Sequence, residues 1–145
     1  MSANVAAVCV SFKSEVMQAI HNLSTTGDSL KAALYYANQG LGGGTTTYST
    51  SGEVAGTGYI AGGKAVTNGT AWATSGITAY WTPSESIQWT GLTISSSFDS
   101  WLLYNFSKAN RGIAVLTFPA QTVTSGTFTI TMPTNAATTA LLQVS

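Results

Sequence analysis

Trp101-Leu-Leu-Tyr-Asn-Phe106, Ser107-Lys-Ala-Asn-Arg-Gly112 and Ile113-Ala-Val-Leu-Thr-Phe118 follow one another without a break, and their reading decides the fold. Two apolar, aromatic and β-branched runs flank a polar connection that ends in glycine, which is the pattern of a β-hairpin. The second run stops at Pro119, a residue with no N–H to give to a ladder. Downstream, Thr127-Phe-Thr-Ile-Thr-Met132 alternates strictly and ends at Pro133. A period of two puts Phe128, Ile130 and Met132 on one face and threonines on the other.

On either side of this hairpin the chain keeps reading as strand and turn. Leu92-Thr-Ile94 follows a turn at Gly91, Lys31–Ala37 is short and apolar, two strands are expected between Tyr59 and Trp81, and a last one runs from about Thr138 to Val144. One helix interrupts the pattern. Phe12, Val16, Ile20 and Leu23 recur at helical spacing, with Met17 widening the stripe, and this predicts an amphipathic helix over about 11–23. Ser11 is its expected N-cap, Glu15 sits toward the positive end of the dipole, and Gly27 ends the segment. A glycine-rich stretch over about 40–63 reads as a long flexible or partner-ordered loop, an arm. Closely spaced strands in one chain of 145 residues point to a single mainly β domain, a sandwich or barrel-like fold with an N-terminal helix.

Charge is scarce: five basic and five acidic residues, 7% of the chain, against 44% hydrophobic. An ordinary domain is roughly 25% charged. Serine, threonine, asparagine and glycine hydrate this surface without the mutual repulsion that keeps monomers apart. Lys13, Lys31, Lys64, Lys108 and Arg111 are scattered, so no basic stripe tracks a phosphate backbone and nucleic acid is not an expected partner. No run approaches the roughly 18 apolar residues of a membrane helix. The N-terminal apolar run, Val5–Val10, has no basic region before it, so the layout is not that of a secretory leader, and maturation in the cytosol, or export by lysis or assembly, is expected.

The same scarcity limits chemistry. His21 is the one histidine, which removes most metal sites and most triads. A Cys9–His21 dyad is disfavoured because Cys9 lies in an apolar run and is expected to be buried and inert. Glu15, Asp28, Glu53, Glu85 and Asp99 are spread along the chain, and no spacing pairs two of them for acid–base work. Gly56-Thr-Gly58-Tyr-Ile-Ala61 matches a dinucleotide-binding pattern in letters only. No helical period follows it, so these glycines are read as positions of positive φ or close strand approach. No catalytic, cofactor or metal residue is assigned.

Aromatic residues carry more information. Trp89 and Trp101 are expected in the core, whereas Trp81, beside Tyr80 and before Thr82-Pro83, reads as an exposed loop anchor.

Four stretches, taken in order, resemble a known family: Phe12–Val16 with His21–Leu23, Leu30–Tyr35, Tyr48–Lys64, and Leu103–Lys108. They are similar to small virion structural proteins of tailed bacteriophages, of the head decoration, cement and connector type. The similarity thins between Trp72 and Asp99. It implies a non-enzymatic, repetitive role on a virion, with the major capsid protein or neighbouring virion proteins as partners and homo-oligomers, trimers among them. Contacts are expected through the N-terminal segment and the glycine-rich loop, at Glu53, Gly56, Gly58, Tyr59 and Lys64, and through Tyr80 and Trp81. The alternatives are a head-to-tail connector or tail component, and a carbohydrate-binding adhesion module that stacks sugars on Trp81, Tyr80 or Trp72.

Overall fold

A computed structural model describes residues 6–145. At its centre the hairpin is present but longer than its sequence signals: β6 (Ile87–Asn105) and β7 (Arg111–Ile130) pair antiparallel along nearly their whole length. Asn110 and Ala109 take positive φ in the turn between them. Gly91 and Pro119, expected as stops, lie inside these strands instead. Gly91 has φ +62 where the register shifts between Trp89 and Leu92, so it is a bulge and not a turn. Ser100 faces Thr117 and Phe98 faces Gln121. Residues 118–120 therefore share a single partner, Asp99, and the missing N–H of Pro119 falls where the ladder is already interrupted.

Five strands form the larger sheet, β1-β7-β6-β2-β3, where β1 is Ala6–Val8, β2 Leu30–Tyr36 and β3 Lys64–Val66. A second sheet has the order β4-β5-β8, from Ala73–Ser75, Thr78–Trp81 and Leu142–Val144. Every pairing is antiparallel, and neither sheet closes into a barrel. Among the described residues the fold is mainly β with one short helix. Three short strands, not two, lie between Tyr59 and Trp81, and the last strand is confined to three residues because 134–140 is spent in a turn held by Ala136 O. Phe98 is the centre of an aromatic core, edge-on to Phe118 and Phe128 at 5.7 and 5.1 Å, and Trp89 adjoins Phe128.

The helix α1 spans Val10–Met17, short of the expected 11–23. Cys9, not Ser11, is its N-cap, without a side-chain capping bond. Its end is a Schellman motif: Ala19 N–H donates to Val16 O, Ile20 N–H donates to Glu15 O, and Ala19 has φ +57. The inward face is Phe12 and Glu15, while Val16 and Met17 of the expected stripe point to solvent. Alanine strains the left-handed position that glycine takes freely. Ala19→Gly is expected to stabilise the protein by about 1 kcal/mol, read as a higher urea midpoint; an unchanged midpoint would mean that the strain is relieved elsewhere.

The stretch 40–63 is not a free arm. It lies against the larger sheet through isolated bridges, Tyr35 to Glu53 and Thr57 to Thr93. A Cβ at Gly56 would stand 2.0 Å from Thr93 O, and one at Gly63 1.9 Å from Ala32 O. These glycines let backbone pass over backbone.

Candidate functional site

Glu53 is the residue on which the glycine-rich stretch turns. Its Oε1 accepts from the Tyr59 hydroxyl at 2.7 Å and from Gly62 N–H at 2.8 Å, and its Oε2 accepts from the Tyr48 hydroxyl at 2.6 Å. Tyr104 closes the group by donating to Gly62 O while stacking on Tyr48 at 4.7 Å. Burial first, and then donation to Glu53, push the Tyr48 and Tyr59 phenols far above their ordinary range. Burial, reinforced by the charge of Glu53, carries Tyr104 to about 12. A carboxylate surrounded by neutral donors is an anchor. Glu53 and the half-buried Tyr59 therefore face inward, against their expected place at an interface.

Gly56 and Gly58 sit over the β6 backbone, with Gly58 at φ +79. No helix follows them, as their pattern required for a nucleotide. Lys64 is exposed, and its Nζ reaches Gln88 O. Among the seven expected contact residues, Lys64, Gly56 and Gly58 are exposed and Tyr80 is half-buried.

Trp81 is a correction. It is 2% exposed, and its indole N–H donates to Asn68 Oδ1 and Thr70 O. Its neighbour in sequence, Pro83, is buried as well. The sequence context resembled a loop, but β5 pairs with both β4 and β8 and places the ring under the smaller sheet. Of the four tryptophans, Trp72, 59% exposed, is the one that meets solvent.

Distant carboxylates do meet, although not as an acid–base pair. Glu15 and Asp28 flank His21 and Asn105 in a buried polar group joined by Arg111 and Lys108. Its members lie up to 96 positions apart, so no local spacing could announce it. Burial raises the Glu15 carboxyl's pKa, but hydrogen bonds from His21 and Arg111 more than reverse this and hold it below the ordinary carboxylate value. Both ring nitrogens of His21 are engaged by Glu15 and Asn105, so neither is free to activate Cys9. The Cys9 thiol is fully buried, and burial pushes it up to about 11, the inert state. Among the described residues, no group of three or more histidine, cysteine or carboxylate side chains could hold a metal ion, and no helix is long and apolar enough to cross a membrane.

The remaining feature is apolar. Between α1 and the smaller sheet runs a cavity of about 170 Å³ lined by Phe12, Val16, Leu23, Trp72 and Val144, with Trp81 in its wall. A second, of about 400 Å³, shares Phe12, Val16 and Val144 and extends to Met17. Met17 is 84% and Val144 63% exposed. The helix presents Val16 and Met17 because its buried face is taken by Phe12 and Glu15. Val16, Met17, Trp72 and Val144 thus form an exposed apolar group beside the two cavities. No protein-family model matches the chain, and no curated protein or solved structure is detectably similar to it.

Proposed function

We propose that this chain is a non-enzymatic structural protein of a bacteriophage virion, a decoration or cement protein that joins its own copies and the capsid through the face between α1 and the smaller sheet. The observation that carries this reading is the grouping of Met17, Val16, Trp72 and Val144 around one pair of apolar cavities. Scarce charge supports it, since weak contacts repeated many times add by avidity and need no long-range steering. The two buried polar groups are spent on holding loops, and among the described residues this leaves no solvent-facing cluster of titrating side chains that would favour catalysis.

Met17→Asp is expected to weaken self-association or capsid binding at least tenfold, measured by analytical ultracentrifugation and by co-sedimentation with particles. Its thermal midpoint should stay near that of the parent, because the side chain is exposed. Unchanged association on both counts sinks the assignment of this face. The adhesion reading now rests on Trp72 in place of Trp81. Glycan binding that disappears in Trp72→Ala, with assembly intact, would favour it. Copy number per particle separates decoration from a connector ring.

A further inference from the structure

Among the described residues three carboxylates are buried, and one of them is short of partners. Glu53 holds three donors, and Glu15 is bound by His21 and Arg111. Asp99, 4% exposed on β6, receives one hydrogen bond among the described residues, from Asn38 N–H to Oδ2 at 3.4 Å. That is beyond the usual N–H···O range of about 2.7–3.2 Å. No cation of these residues reaches it: Lys108 is on Asp28, Arg111 on Glu15, Lys64 on Gln88 O and Lys31 over Phe106, while Lys13 is exposed on α1. The position of Asp99 follows from a bulge. Tyr35 faces Ser100 and Tyr36 faces Phe98, so Asp99 is an extra residue against β2, and the ladder to β7 is interrupted at the same point. Such a bulge re-aims a side chain out of the regular alternation.

Asp99 lines a cleft of about 440 Å³, bordered also by Ser100 and its register partner Thr117, by the segment 38–43, and by Ala7. We propose that this cleft receives a single organic cation, an ammonium or guanidinium head on an alkyl stem, with Asp99 as its counter-charge. A carboxylate only accepts hydrogen bonds, and a buried one is compensated best by an opposite charge that also donates. Further acceptors stand in the same lining, the Ser100 hydroxyl and the side-chain oxygen of Asn38. Ala7 and Leu41 offer apolar surface to the methylenes of a stem. Other ligand classes fit less well. A neutral polyol brings no charge to set against Asp99, and a calcium ion, which takes about 6–8 oxygen ligands, would find one carboxylate in the lining. The head can belong to a free amine or to a lysine or arginine of a neighbouring protein, since the recognition chemistry is the same.

In ¹⁵N-labelled full-length protein, the Nα-acetyl methylamides of lysine and arginine should move the amide signals of Asn38, Gly40, Gly42 and Gly43 to saturation. Their neutral analogues, built on norleucine and citrulline, should bind at least tenfold more weakly. Asp99→Asn keeps an acceptor for Asn38 N–H but carries no charge, and it should lose affinity for the two cationic probes by the same factor. Two smaller probes, n-butylamine and n-butylguanidine, separate the sources of the head. Binding of the amino-acid amides at least threefold tighter than these assigns the cleft to a side chain on a polypeptide, and any smaller preference assigns it to a free small cation. The proposal is overturned if none of the four cations gives a saturable shift, or if either the neutral analogues or Asp99→Asn fall short of the tenfold difference. It is overturned as well if calcium chloride or glucose moves the same amides at lower concentration than the cations do. If Asp99→Asn fails to fold, the comparison of charged with neutral probes on the parent protein decides.

Discussion

Glu53→Ala is expected to cost about 3–5 kcal/mol of folding stability, a sum of charge-assisted hydrogen bonds at about 1.5–3 kcal/mol each, counted as less than additive. The loss falls on the donors left behind: the half-buried Tyr48 and Tyr59 hydroxyls and Gly62 N–H would be left with no acceptor. Glu53→Gln keeps one acceptor oxygen and should cost less, about 1–2 kcal/mol. Tyr59→Phe removes one donor and also the acceptor for Leu34 N–H, so it should fall between the two. Urea unfolding followed by near-ultraviolet circular dichroism reports both stability and the tyrosine environment. A cost below 1 kcal/mol for the alanine variant would show that the stretch 40–63 is held by something else. The phenols provide an independent check. Tyr35 and Tyr104 are raised to about 12, chiefly by burial. Their neutral forms contribute stability that is fully present below the ordinary tyrosine value near 10 and is lost as pH climbs through about 12. Alkaline unfolding should therefore begin in that interval and begin earlier in Glu53→Ala.

Gly63→Ala is expected to cost about 3–5 kcal/mol, the cost of overpacking added to that of an alanine in the left-handed region. Gly63 has φ +69, and its new Cβ would stand 1.9 Å from Ala32 O and 2.7 Å from Ala33 Cα. Both obstacles are backbone atoms of β2, buried in the larger sheet, so nothing flexible can yield. Gly40→Ala is the matched control. Gly40 also has a positive φ of +70 but meets no atom within 4 Å, so it isolates the conformational share at about 1–2 kcal/mol. Equal losses at the two positions, measured by chemical denaturation, would refute the close approach of Gly63 to β2.

The mainly β architecture was legible because its strongest signals were local. Phe128 and Ile130 lie on the buried side of β7 as their alternation required, and the Trp101–Phe118 hairpin folds where its polar centre indicated. The errors came from long-range effects. Pro119 looked terminal because one strand read alone does not show that its partner has a matching irregularity at Asp99. The helix stopped early because Glu15, polar in any periodicity count, is drawn inward by Arg111 and His21. Trp81 looked exposed because β8, which covers it, comes some sixty positions later. Glu53 read as a contact residue of the glycine-rich run, yet its partners are tyrosines whose pairing with a carboxylate leaves no trace in spacing. The apolar face was harder still to foresee. Met17 and Val16 belonged to the stripe assigned to the core, and only the observed rotation of α1 turns them outward.

The pairing of β1 with Leu116, Val115 and Ala114 of β7 also sets a clock on synthesis. Ala6, Ala7 and Val8 leave the ribosome well before their partner strand, which follows about a hundred residues later. At about 5–20 residues per second this is a wait of roughly 5–20 s. During that time α1, Cys9 and the Glu15–His21 pair have no β7 to rest on, since Arg111 and Ile113 are still unmade. The β6–β7 hairpin, whose partners are close in sequence, needs no such delay and can form as soon as it emerges. β1 and α1 therefore dock onto a sheet whose central hairpin is already built. The apolar side of α1 that is finally left uncovered is thus exposed before β7 exists as well as after it has formed.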